Sequence, residues 1–350
     1  MVQNTNVRKS IVVDRFVFLI EVLIVFFGIF SFLFVPNLLF QYMGIPGPFY
    51  YFLRALMLFI AVPIFIALAN IILESQRKEL IVEEDISAFM GHLKLYKMTK
   101  NNYKYQLLYG IILLFILFIP LDFFTYLLIP EMLEYNAVTI GANPTDTHFY
   151  APYLIFLVSA IIIQISVAVY EETLSRGFLT KRGSENFNKI SAVVIASFYF
   201  GLMHFAYIRD PISANYPLYF PLIWFGQAFF IGFILSMLVI RKKWLFPAIF
   251  AHALNNIISS NAIWLYIRGV EFSFTTLVLY LPLLIFSLIL LVWQFPKIKE
   301  GISTGWQDLK EYFNIKKQQV DSKTDIYIII LVDLLIGFLI FMIGLFVFNI

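Results

Sequence analysis

Three short polar clusters interrupt stretches that are otherwise almost wholly apolar: Glu171-Glu172 with Arg176, His204 four residues after Phe200, and His252 four residues before Asn256. Ionisable side chains are costly at membrane depth, so an acid, a base and an amide placed there mark a functional site. On a helix, residues four apart share a face. Glu172 and Arg176 can therefore pair along their own helix, which leaves Glu171, turned about 100° away, for another partner. His252 and Asn256 share a face by the same rule, as do Phe200 and His204. A carboxylate and an imidazole that share a water can deprotonate it for attack on a carbonyl, and a second imidazole with an amide can hold the oxyanion. That set suffices for peptide hydrolysis without a nucleophilic Ser or Cys. Two carboxylates and two histidines are also ligands that zinc accepts, in which case Glu171, His204 and His252 would hold it. No His-Glu-x-x-His pair is present, so activated water with no required cofactor is the preferred reading.

The elements that position these residues must be transmembrane helices. Hydrophobic residues make up 61% of the chain and charged residues 13%, with a mean hydropathy of +0.85. A run of about 20 apolar residues crosses a bilayer as a helix. Such runs fall at 16–40, 49–73, 106–129, 151–176, 190–208, 219–240, 244–265, 273–295 and 326–349. The expected fold is an all-α polytopic bundle of eight or nine spans with its functional core in spans four to seven. Three regions are expected: 1–150 with the first three spans, 151–270 as the core, and 271–350 with the last two. The first run carries Asp14, Arg15 and Glu21 and no small-residue cleavage site follows it, so it reads as a retained span.

Basic residues orient the bundle. With the N-terminus cytoplasmic, Arg8, Lys9, Arg77, Lys78, Lys94, Lys97, Lys100, Lys104, Lys181, Arg182, Lys189, Arg241 to Lys243, and those from Lys297 to Lys323 all fall inside. Only Arg54, Arg209 and Arg268 fall outside, and 131–150 has no Lys or Arg. A cell membrane is the expected location. The absence of cysteine excludes disulfides and thiolate chemistry, and a charge of +3 gives no nucleic-acid footprint. Partners are the bilayer and a protein or peptide substrate. Trp306, Leu309, Tyr312 and Phe313 recur at helical spacing among Lys310, Glu311, Lys316 and Lys317, which suits a helix in the headgroup layer or a solvated linker.

Spans four and five are joined by the polar turn Lys181 to Asn186 and should form an antiparallel hairpin. Glu171 and His204 stand equally far from that turn, which predicts that they face each other. Glu21, Arg54, Asp122 and Asp333 stand singly and are assigned to packing or headgroup contacts. His92 and His148 are given no role, and Asn255 is read as a bystander off the His252 face.

The motifs Glu171-Glu172-x-x-x-Arg176, Phe200-x-x-x-His204 and His252-x-x-x-Asn256 resemble, in order and spacing, the CAAX prenyl protease and bacteriocin-processing intramembrane protease family. The resemblance implies an intramembrane endopeptidase in which Glu171 and His204 activate water and His252 and Asn256 form the oxyanion hole. Glu172, Arg176 and Phe200 would support them. It also implies a substrate that is C-terminally prenylated in some relatives and a metal label in part of the family. The alternative is a non-enzymatic scaffold or bacteriocin-immunity protein that uses the same polar cluster for binding.

Overall fold

The computed structural model describes residues 2–74, 87–141, 144–314 and 322–348, all helices and connections with no strand among them. Successive helices are α1 (Val2–Met43), α2 (Gly47–Leu73), the short α3 (Ala88–Lys94), α4 (Tyr103–Leu128), α5 (Glu131–Gly141), α6 (Tyr153–Asn186), α7 (Lys189–Phe205), α8 (Tyr219–Lys242), α9 (Phe246–Ile267), α10 (Phe272–Tyr312) and α11 (Lys323–Phe348). Arg77, Lys78, Lys316 and Lys317 lie outside the described residues.

Eight described helices are long and apolar enough to cross a membrane: α1, α2, α4, α6, α7, α8, α10 and α11. α9 is not among them, although its 22 residues span about 33 Å at the helical rise. It nonetheless runs the depth of the bundle, antiparallel to α6. Its start is fixed by the Leu245 amide donating to the Leu95 carbonyl at 3.0 Å. At its far end, Arg268 donates to the carbonyls of Tyr150 and Ala151, where α6 begins. Polar residues at 252, 255, 256, 259, 260 and 261 lower its hydropathy, and neighbouring helices α4 and α6 cover them.

Lipid tails are as apolar as leucine, so helices here are held by close packing and by polar pairs. α7 presents Ser191, Ala192, Ala196, Ser197 and Gly201, all buried, and lies tightly on α8. A Cβ at Gly201 would come within 3.1 Å of the Phe225 carbonyl, backbone that cannot give way. Two packed cores result. One joins α1, α2, α7 and α11 with Leu174, Phe178 and Leu179; the other joins α4, α5, α8 and α9 with Phe156 and Ala160. α6 contributes to both, and Glu171 and Glu172 lie on it between the two contributions.

Buried ions at the Lys-rich end pair across the sequence, which is why no helical spacing revealed them. Arg15 Nε lies 2.6 Å from Asp333 Oδ1, Arg15 also donates to Ser191, and the Tyr312 hydroxyl donates to Asp333 at 2.9 Å. Arg182 joins Glu21, Asn70 and Glu185. Glu21 and Asp333 are thus inter-helix ion pairs rather than single sites. Removing one partner leaves a buried charge without compensation, so Asp333→Leu is expected to destabilise by about 3–5 kcal/mol. Thermal unfolding in detergent measures it. Of the apolar face expected in the headgroup layer, Leu309 and Tyr312 pack against Ile326 and Ile329, while Trp306 and Phe313 stay exposed.

Candidate active site

Glu171 and Glu172 close the regular part of α6, after which Thr173–Thr180 is wound as a π-helix. Wide turns of this kind break the regular hydrogen-bond register and recur at functional sites. Here side chains tie the turn down. Thr180 donates its hydroxyl to the Ser175 carbonyl at 2.9 Å and meets Ser236 at 3.0 Å. From the Lys-rich end, Tyr96 donates to Thr173 at 2.6 Å, and buried His92 lies over Gly177. Burial pushes the His92 imidazole down to about 4, so it rests there uncharged.

The two carboxylates occupy different environments. Glu172 is fully buried and Glu171 is 28% exposed. Arg176 Nη1 lies 3.1 Å from Glu172 Oε1, as the four-residue spacing predicts, though not at a hydrogen-bonding angle. The face of the guanidinium is covered instead by the Phe200 ring, with 4.0 Å to its centroid. That cation–π contact gives Phe200 a role beside an otherwise unsatisfied buried cation. The same ring meets His204 edge-on at 4.6 Å and His252 at 6.3 Å.

His252, on α9, is the hub. Its Nδ1 donates to Glu172 Oε1 at 2.8 Å, and its Nε2 lies 3.7 Å from Glu171 Oε2. Phe118 from α4 stacks on its other face at 5.9 Å. His204, on α7, donates from Nδ1 to the Phe200 carbonyl at 2.9 Å and is within electrostatic reach of Glu171 and His252. Both imidazoles, Glu171, Phe200 and Asn256 line one cavity of about 260 Å³. The structure thus brings the sequence-derived residues together but changes their pairing. The histidine in closest contact with Glu171 is His252, not His204. The reason is the hairpin: Lys181 to Asn186 is helical, the turn narrows to Phe187 and Asn188, and α7 packs on 173–186 rather than along Tyr153–Glu172.

Further cavity residues lie outside the three motifs. Asn255, read as off the His252 face, lines the cavity beside Asn256 and donates to Asp122 Oδ2 at 3.2 Å, so Asp122 does not stand singly. Positions three apart share a helix face as well as positions four apart, and 252 with 255 is such a pair. One turn on, Ser259 meets the Tyr126 hydroxyl at 3.0 Å, which repeats the α4–α9 contact. Asp146, on the segment Pro144–Tyr150, lines the far end. Burial raises its carboxyl to about 7 against a Tyr51 hydroxyl bond. Its neighbour His148 is pushed down to about 4 by burial, so their 3.8 Å approach is not an ion pair near neutrality.

Among the described residues no three His, Asp or Glu side chains are grouped as metal ligands; Glu171, His204 and His252, which line the same cavity, are the residues that would hold one. No step below runs through a metal.

Residues 153–258 match the family model described as Rce1-like, type II CAAX prenyl endopeptidase Rce1-like. No curated protein and no solved structure matches the chain. The matched stretch contains every motif residue from Glu171 to Asn256 and leaves α1 to α5, α10 and α11 outside it.

Proposed function

We propose, from the match of residues 153–258 to the Rce1-like CAAX prenyl endopeptidase model, that the chain hydrolyses a peptide bond of a membrane-associated, C-terminally prenylated protein with water activated by Glu171 and His204. The observation that carries this is the opposition of two unequal carboxylates across one imidazole. Glu172 is buried and engaged by His252, whereas Glu171 reaches the cavity.

Proton positions follow from the partners. The Phe200 carbonyl only accepts, so His204 Nδ1 carries the hydrogen and Nε2 presents a lone pair. Glu172 likewise takes a hydrogen from His252 Nδ1. Glu171 and Glu172 bring two negative charges and Arg176 one positive, so an imidazolium at His252 makes the cluster neutral and turns Nε2 into a donor. Water bound between Glu171 and His204 gives a proton to Glu171 as its oxygen bonds to the scissile carbonyl carbon. The carbonyl electron pair moves to oxygen, where His252 Nε2–H and the Asn256 amide receive it. The pair then returns, the C–N bond breaks, and the departing amine takes the proton from Glu171. Glu172 and Arg176 act as support, holding His252 in place.

The Lys-rich end of the bundle is assigned to the cytoplasm of a cell membrane, with the N-terminus inside. No metal enters this chemistry, so purified protein treated with 1,10-phenanthroline is expected to keep its turnover. A loss restored by added zinc, and not by buffer alone, would return the metal reading.

A further inference from the structure

One wall of the cavity is built from acceptors. Asp122 receives the Asn255 amide hydrogen at 3.2 Å, which orients that amide. The Asn255 oxygen is then left without a partner, on a side chain only 6% exposed. Asn136, equally buried, gives its amide hydrogen to Tyr126 at 2.8 Å, and its oxygen is also unpaired. All three residues line the cavity beside His252 and Asn256, and among the described residues its lining contains no Lys or Arg. A buried acceptor with no donor costs about 1–3 kcal/mol, so two such oxygens next to a carboxylate form a place for a group rich in hydrogens.

We propose that Asp122, with the side-chain oxygens of Asn255 and Asn136, forms a subsite for a basic substrate residue, lysine or arginine, near the scissile bond. The inference rests on the protease reading of the neighbouring cluster. An ammonium or guanidinium at membrane depth is tolerated only when both its charge and its hydrogens are met. Here Asp122 meets the charge, and the two amide oxygens accept hydrogens. An acidic substrate residue would meet the Asp122 carboxylate, and a purely apolar one would leave the oxygens unpaired. Asp122 lies outside the matched stretch 153–258, so the subsite is a property of α4 in this chain rather than of the motifs.

The test works on an unidentified substrate. Cells carrying the full-length chain, Glu171→Ala or Asp122→Asn at equal membrane abundance are compared for new protein termini. Termini present with the unaltered chain and lost with Glu171→Ala define its cuts; if none is lost, the protease reading fails and the subsite falls with it. If cuts are found, lysine or arginine is expected to be enriched at one fixed position beside them. Asp122→Asn is then expected to lower cutting at these sites at least about tenfold relative to cuts without a basic residue, about 1.4 kcal/mol. Absence of basic enrichment, or an unchanged site distribution with Asp122→Asn, overturns the subsite while leaving the protease intact. Should Asp122→Asn fail to accumulate, Asn136→Leu removes one acceptor without touching the carboxylate. It must weaken the same preference.

Discussion

Glu171→Gln is expected to abolish hydrolysis, lowering turnover on the order of 10³-fold or more, while the protein folds and melts as before. The amide matches the carboxylate in size but cannot take a proton from water or return one to the leaving amine. Stability should hold because Glu171 is partly exposed and is not the buried partner of Arg176. Its approach to His252, at 3.7 Å, is too long for a hydrogen bond whose loss would matter to the fold. Single-turnover cleavage of a substrate identified by terminus profiling measures the effect. Full activity in Glu171→Gln would remove the carboxylate from the mechanism.

Arg176→Met is expected to act in the opposite manner, through the fold first. The guanidinium is fully buried 3.1 Å from Glu172, and its loss strands a carboxylate of 0% exposure. Breaking such a pair costs about 3–5 kcal/mol. The paired change Arg176→Met with Glu172→Gln is then expected to recover much of that stability, because Gln still offers His252 Nδ1 an acceptor oxygen and no charge is left uncompensated. Activity should not recover with it, since the carboxylate that receives His252 Nδ1–H would be gone. Thermal melts and turnover measured across the four-member cycle separate the two effects. Recovery of both together would make the ion pair purely structural.

The all-α membrane bundle was legible in the sequence, whereas the pairings inside it were legible only in part. Glu172 with Arg176 was legible because both lie on one helix at a fixed spacing, and the same holds for Phe200 with His204. The pairing of Glu172 with His252 was not, since it joins α6 to α9 across 80 residues and depends on where the hairpin arm 173–186 meets α7. Glu21 with Arg182 and Arg15 with Asp333 were hidden for the same reason. Asp122 looked solitary because its companion lies on α9. The nine hydrophobic runs were readable from composition, but the helical winding of Lys181–Asn186 was not, because its polar residues resemble a turn until Arg182, Gly183 and Ser184 are seen to be buried.

The polar stripe that lowers the hydropathy of α9 also bears on how the protein is made. A segment carrying His252, Asn255, Asn256, Ser259, Ser260 and Asn261 gains too little from lipid to enter a bilayer alone. Its partners α4 and α6 precede it in the chain and have emerged from the ribosome before it does. Synthesis from the N-terminus therefore supplies the receiving groove before the helix that needs it. Asp122, Tyr126 and Glu172 become acceptors and donors for the incoming stripe, so assembly of the cluster around His252 and retention of α9 are one event.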